Sequence, residues 1–185
     1  LKDKVIIITG ATKVLVGIAI KAVAEGGKVL VHGIEKDDGQ KIVDQLGKSA
    51  ALCIADLSEP ATPQKIVESA IAAFGKIDAV VNNAAIIERN NLTQLTPDAF
   101  TKTITVNLQS ALFLIQAAFP HLKKSEGAVL NIGSINAYSG ESSLLAYSIS
   151  KAGMQTMTRN LANAHGADKV LSLYTSPSPR DAHES

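Results

Sequence analysis

Short apolar, β-branched runs in this chain are followed, again and again, by longer segments whose apolar residues recur at helical spacing, and few folds can absorb such an alternation. Val5–Ile8 is the first run, ending at Thr9 and Gly10. It has no polar alternate positions, which predicts a strand buried on both faces. From about Val14 to Glu25 the residues Leu15, Ile18, Ala19, Ala22 and Val23 fall on one helical stripe, and Gly26 and Gly27 stop it. The pair repeats as strand 28–32 with helix 38–46, strand 51–54 with helix 61–74, and strand 78–82 with helix 97–122. A fifth strand over 128–132 precedes a helix from Leu144 to about His165. Strands alternating with helices in such short units imply right-handed crossovers, so the predicted class is α/β: a doubly wound parallel sheet with helices on both faces.

With 185 residues, 46% of them hydrophobic and 19% charged, the chain fits one domain better than two. A formal charge of +1 without a block of like charges offers no electrostatic footprint for nucleic acid or an anionic membrane, so neither is expected as a partner. No apolar run approaches the roughly 18 residues of a membrane span. Leu1, Lys2, Asp3 and Lys4 lack the order of a secretory signal, and a cytoplasmic protein is expected. Cys53 stands alone, so neither a disulfide within the chain nor a multi-cysteine metal site is expected.

Doubly wound sheets bind ligands at the carboxyl ends of their strands. Thr9 and Gly10, Asp56, Asn82 and Asn83, and Ser134 each follow a predicted strand, which makes them candidates. Taken singly, Asp56 also reads as a helix N-cap, and Asn83, Ala84 and Ser134 as turn residues. Tyr147 and Lys151 lie four residues apart on a predicted helix and share a face. A free phenol has a pKa near 10, too high for a base at neutral pH, and a neighbouring cation favours its ionised form. That pairing suits general acid/base chemistry, although a solvated neighbour pair has the same spacing. Ser134 adds a hydroxyl at the mouth of the fifth strand, able to bond the oxygen the phenol would protonate.

Thr9-Gly10, Asn82-Asn83-Ala84, Asn107, Ser134 and Tyr147-Ser148-Ile149-Ser150-Lys151 together resemble the short-chain dehydrogenase/reductase family, in its order and at its spacing, over residues 1 to about 170. The resemblance implies a Rossmann-like fold and hydride transfer between NAD(P)(H) and a carbonyl or secondary alcohol. It assigns Tyr147 as acid/base, Lys151 as the cation that supports it and holds the nicotinamide ribose, Ser134 as the group orienting the carbonyl, and Asn107 as holder of a water linking Lys151 to solvent. Alone, Asn107 reads as a helix-interior amide bonding its own backbone. Gly10, Thr12, Lys13, Leu15, Asp56, Leu57, Asn83 and Ala84, with Tyr147 and Lys151, are the cofactor-binding residues it implies; no metal is implied. The resemblance also implies a full-length parent that is a homo-oligomer, paired through helices 97–122 and 144–165. Substrate identity stays open among thioesters, sugars, steroids and simple ketones.

Cofactor choice turns on the residues after the second strand, His32-Gly33-Ile34-Glu35, where no acidic group stands directly at the strand end. Lys13 occupies the loop position where the family often carries a basic residue for a 2′-phosphate. NADP is therefore expected over NAD, unless Glu35 reaches the ribose.

Two departures from the family pattern stand out. Its loop Thr-Gly-x-x-x-Gly-x-Gly has valine, Val14 and Val16, at the second and third glycines. Bulk there is expected to weaken cofactor binding, or else to displace the loop without abolishing it. After Val170 the family continues into a sixth strand, whereas this chain soon reaches Pro177 and Pro179. Residues 171–185 are expected to lie outside the family domain as a disordered or foreign tail resembling translated sequencing adapter, with the last strands missing and turnover impaired. A natural flexible tail is the alternative. Two rival functions share the fold: a catalytically silent binding homologue, favoured by the two valines, and a methyltransferase, which has no use for the tyrosine–lysine pair.

Overall fold

The computed structural model describes residues 1–13 and 16–175. Six parallel strands form one sheet in the order β3-β2-β1-β4-β5-β6: β1 (Val5–Ile8), β2 (Lys28–Gly33), β3 (Ala50–Ile54), β4 (Ala79–Asn82), β5 (Ala128–Ile132) and β6 (Leu171–Thr175). Chain order runs outward from β1 to β3, then returns across β1 to β4, so the switch point lies between β1 and β4. Ile7, Ile8, Val29, Leu30, Val31, Val80 and Val129 are fully buried in the central strands, as continuous apolar runs require.

Seven helices flank the described sheet. On one face α1 (Val16–Ala24) and α2 (Lys36–Leu46) bury Ala19, Ala22 and Ile42 against Ile6, Ile8, Val29 and Val31. On the other, α3 (Thr62–Phe74) and α5 (Ser110–Ser125) bury Ile66, Val67, Ala70, Leu114, Ile115, Ala118 and Leu122 against Ile7, Leu30, Val80 and Val129. Met157 and Leu161 of α7 (Leu145–His165) join this second cluster. The remaining helices are α4 (Pro97–Ile104) and the short α6 (Asn136–Ser139). Thr96 caps α4 by accepting a hydrogen bond from Ala99 N at 3.2 Å, and Pro97 supplies a first helical position that needs no donor.

Two expectations need correction. The single helix predicted over 97–122 is two helices, α4 and α5, joined by a π-helical turn at Thr105–Gln109. Its cause is tertiary: Asn107, at the centre of the turn, is fully buried and bonded to other elements rather than to its own helix. The sheet also does not stop at the fifth strand. Leu171–Thr175 pairs in parallel with β5 from Ala128↔Leu171 to Ile132↔Thr175, so ordered structure passes the boundary expected at 170. Leucine, tyrosine and threonine suit a strand, and the two prolines come only afterwards in the sequence. Residues 176–185, and with them the proline-containing part of the tail, lie outside the described residues, as do Val14 and Leu15.

Candidate active site

The carboxyl ends of β1 and β4 are stitched together at the switch point. Thr9 Oγ1 accepts hydrogen bonds from Asn83 N and Ala84 N, each at 3.1 Å, and Asn83 Nδ2 donates to Thr9 O at 2.9 Å. Gly10 turns the chain away from β1 with φ +66°, and a Cβ on it would lie 2.9 Å from the Cα of Ala84. Only glycine suits that place, on two separate grounds: the left-handed backbone and the close approach of a neighbouring main chain. Deeper in the sheet Asn82 Nδ2 donates to Asn131 Oδ1 at 2.8 Å, and Asn131 Nδ2 to Thr158 Oγ1 at 2.8 Å. This buried chain of amides ties β4 and β5 to α7 and so fixes the helix that carries Tyr147 and Lys151.

A cleft of about 610 Å³ opens along these strand ends. Its walls include Gly10, Thr12, Lys13, Asp56, Leu57, Asn83, Ala84, Tyr147 and Lys151, nine of the residues singled out from the sequence. Ser134 and Asn107 are not part of that lining, though each adjoins a residue that is, Gly133 and Val106. Gly133 is in the wall and Ser134 follows it, half-buried, accepting from Asn136 N at 3.2 Å as the chain turns into α6. Asn107 brackets the main chain of one residue, accepting from Ile86 N at 2.8 Å and donating to Ile86 O at 2.9 Å, and donates also to Ser150 Oγ at 3.1 Å. Ser150 in turn donates to Tyr147 O at 2.7 Å. Asn107 thus couples the loop after β4 to the turn of α7 that bears the tyrosine, and does not bond its own helix.

Lys151 is almost completely buried, with its Nζ donating to Ile132 O at 2.7 Å and lying 5.8 Å from the centre of the Tyr147 ring. Burial pulls its pKa down to about 8. Tyr147 is itself 8% exposed. A buried cation is thereby held beside a phenol at the edge of an open cleft.

At the far end of the cleft, Asp56 Oδ1 accepts from Ser58 N at 2.8 Å, and hydrogen bonds from Ser58 hold its carboxyl below the usual range. The alternative of a helix N-cap is not met, since α3 starts at Thr62 with Ala61 at its N-cap; Asp56 instead closes a turn within the cleft wall. His32 is buried, its Nε2 lies 3.0 Å from Ala55 O, and burial lowers it to about 4, so it is neutral at physiological pH. Glu35 is bonded to both Thr12 and Lys13. Lys102 and the carbonyl of Ile132 join the site without having stood out in the sequence, and His32, read there only as part of the segment after the second strand, lies in the cleft wall. No local signal marks them, because α4 brings Lys102 to the cleft and strand register brings the other two.

Could a nicotinamide dinucleotide fit? The glycine approach at Gly10, the cleft's volume and its run from Asp56 to Tyr147 match an elongated ligand with a phosphate bridge at the β1 end. Among the described residues no group of three or more His, Cys, Asp or Glu side chains could hold a metal, and no helix is long and apolar enough to cross a membrane.

A doubly wound parallel sheet with such a cleft at its switch point defines a Rossmann-type nucleotide-binding domain. The family model for short chain dehydrogenases matches residues 4–181, and the chain belongs to the short-chain dehydrogenase/reductase family. It is 33% identical over 169 residues to an uncharacterized oxidoreductase of Thermotoga maritima, covering 87% of this chain and 65% of that protein. It is also 33% identical over 168 residues to the NADP-dependent (R)-specific alcohol dehydrogenase of Lentilactobacillus kefiri, covering 88% and 66%. Among solved structures, the 3-ketoacyl-(acyl-carrier-protein) reductase of Brucella melitensis complexed with NADH superposes with a TM-score of 0.90 at 27% identity, covering 95% of this chain and 76% of that one. The chain therefore spans about two thirds of the length of these two curated relatives.

Proposed function

We propose that this chain is the nucleotide-binding and proton-transferring part of an NAD(P)-dependent oxidoreductase acting on a carbonyl or secondary alcohol. The observation that carries the reading is the meeting of Tyr147 and the buried Lys151 in the wall of the same cleft as Gly10, Asn83 and Asp56. When bound, a nicotinamide dinucleotide supplies or accepts the hydride. Gly10 leaves room for its phosphate bridge, Asp56 and Leu57 flank its adenine end, and Lys151 reaches its nicotinamide ribose. Tyr147 gives a proton to the carbonyl oxygen in reduction and takes it back in oxidation. Lys151 contributes positive charge beside the phenol, and Ser134 donates a hydrogen bond to the same substrate oxygen. Asn107 holds the water through which Lys151 exchanges protons with solvent.

NADP is the preferred cofactor in this reading, because Lys13 lies in the cleft wall and Gly33, at the end of β2, carries no carboxylate. Pairing of two copies through α5 and α7 accords with the exposure of Leu112, Phe113 and Ile149 on those helices. The silent-homologue reading draws on Val14 and Val16. Val16 opens α1 and packs, partly buried, against the cluster around Ile6 and Ile8, where the family places glycine.

Restoring both glycines, Val14→Gly with Val16→Gly, tests this directly by titrating NADPH fluorescence. Affinity should rise at least about tenfold, since two β-branched side chains are removed from the loop along which the main chain must approach the phosphate bridge. Unchanged affinity would show that the loop tolerates both valines. Binding of S-adenosylmethionine in place of NADPH would overturn the oxidoreductase reading.

A further inference from the structure

Asn107, Ser150 and Tyr147 form a one-way chain of hydrogen bonds whose direction the main chain dictates. Ile86 N can only donate, so the atom of the Asn107 amide that meets it at 2.8 Å is Oδ1, and Nδ2 faces Ile86 O and Ser150. Ser150 Oγ therefore accepts from Asn107, and its own proton goes to Tyr147 O at 2.7 Å. In the helical ladder that same carbonyl receives the N–H of Lys151, four residues on. Ser150 is fully buried, so solvent does not substitute for either bond. The π-helical turn at Thr105–Gln109 lies close against α7 here: a Cβ on Gly153 would come within 2.7 Å of Leu108 Cδ2. Close packing and the hydroxyl together seat Asn107 on the helical turn that carries the tyrosine and the lysine. On the same turn, Ser148 has a buried Oγ without a hydrogen-bond partner among the described residues. What distinguishes Ser150 is thus its place between Asn107 and Tyr147, rather than its hydroxyl as such.

We propose that Ser150 is a positioning residue for proton transfer: its hydroxyl sets the spacing and orientation of Asn107 relative to Tyr147 and Lys151, and so governs how fast the proton given up by Tyr147 is replaced. This rests on the reading of Tyr147 and Lys151 as the proton-transferring pair, with Asn107 holding the water between Lys151 and solvent. In reduction Tyr147 gives its proton to the substrate oxygen and is left as a phenolate. A proton from solvent, passed by way of that water and Lys151, restores the phenol. The relay is only as good as the gap it has to cross, and Ser150 is bonded to both sides of that gap. In a buried site each hydrogen bond of such a chain polarises the next, which holds the three groups as a unit. Removing the hydroxyl leaves one N–H of the Asn107 amide buried without a partner, so the amide shifts to find another.

The test follows carbonyl reduction by the full chain at saturating NADPH, in water and in deuterium oxide. Ser150→Ala should lower kcat about tenfold while KM for the carbonyl and affinity for NADPH stay within about twofold. Its solvent deuterium isotope effect should exceed the parent's, because replacing the tyrosine proton has become the slow step. Ser150→Cys, near in size but a weak donor and acceptor, should show the same loss, so the test does not depend on the alanine variant folding. Ser150→Thr keeps the hydroxyl and should regain most of the rate. Ser148→Ala removes a hydroxyl from the same turn without breaking a bond and should behave as the parent. A parental kcat in Ser150→Ala overturns the role of Ser150. So does a lowered Tm with weakened NADPH binding and an unchanged isotope effect, which is the mark of a purely structural residue. A parent chain that binds NADPH but reduces no carbonyl overturns the oxidoreductase reading, and this inference with it.

Discussion

Lys151→Met is expected to yield a protein that is more stable than the parent and, as an oxidoreductase, slower by roughly a hundred- to ten-thousandfold. Stability and function separate here because the lysine is buried as a cation. Its pKa falls from 10.5 to about 8, and desolvation is the cause. Between those values the unfolded chain binds a proton that the folded chain has released, so folding gains stability as the pH rises from about 8 to 10.5. Below about 8 the whole cost of burying the ammonium is carried, on the order of 3 kcal/mol from the size of the shift. Methionine fills a similar volume without that cost. Each hydrogen bond the ammonium makes, that to Ile132 O among them, takes back about 1 kcal/mol. Thermal unfolding of both proteins from neutral to alkaline pH should show the variant ahead near neutrality and the gap closing towards pH 10.5. A variant less stable than the parent at neutral pH would mean that the ammonium pays for its own burial through its bonds.

Gly10→Ala is expected to act in the opposite sense, costing both stability and nucleotide affinity. The left-handed backbone alone costs an alanine about 1–2 kcal/mol. The added Cβ would also press on the Ala84 backbone at 2.9 Å, which cannot move without parting the hydrogen bonds from Asn83 and Ala84 to Thr9. A loss of about 3 kcal/mol in unfolding free energy follows, with nucleotide affinity falling at least about tenfold as the strand ends separate. Gly17→Ala is the matched comparison: nothing lies within 4 Å of its added Cβ and its backbone is helical, so it should gain up to about 1 kcal/mol. Denaturant unfolding of the two variants checks both signs, and equal effects would contradict the assigned role of Gly10.

The strands of this sheet were legible because their signal is local. β5 spans the residues that its apolar run predicts, and β1 to β4 differ from their predicted ends by no more than one residue. Features set by tertiary contact were not legible. The break at Thr105–Gln109 lies inside a segment with unbroken helical periodicity and arises from Asn107 reaching Ile86 and Ser150. The extent of β6 was obscured by two prolines that follow it, which made a strand of favourable residues read as its own termination. At the site, Tyr147, Lys151, Gly10 and Asn83 could be picked out because each follows a strand end or shares a helical face. Lys13 and Glu35 were weighed as opposing determinants of cofactor choice, 22 residues apart in sequence, and their direct pairing belongs only to the folded chain. Likewise no pattern marks Ile132 as the carbonyl that receives Lys151, since β5 and α7 are brought side by side only in the folded chain.

The most direct test of the proton role of Tyr147 compares Tyr147→Phe with its parent, both carrying glycine at positions 14 and 16. NADPH consumption with a panel of ketones and aldehydes is followed at matched cofactor saturation, and cofactor binding is measured separately by fluorescence. The phenylalanine variant should bind NADPH as its parent does and reduce carbonyls at least about a hundredfold more slowly. Equal rates in the two proteins would contradict the assignment of Tyr147.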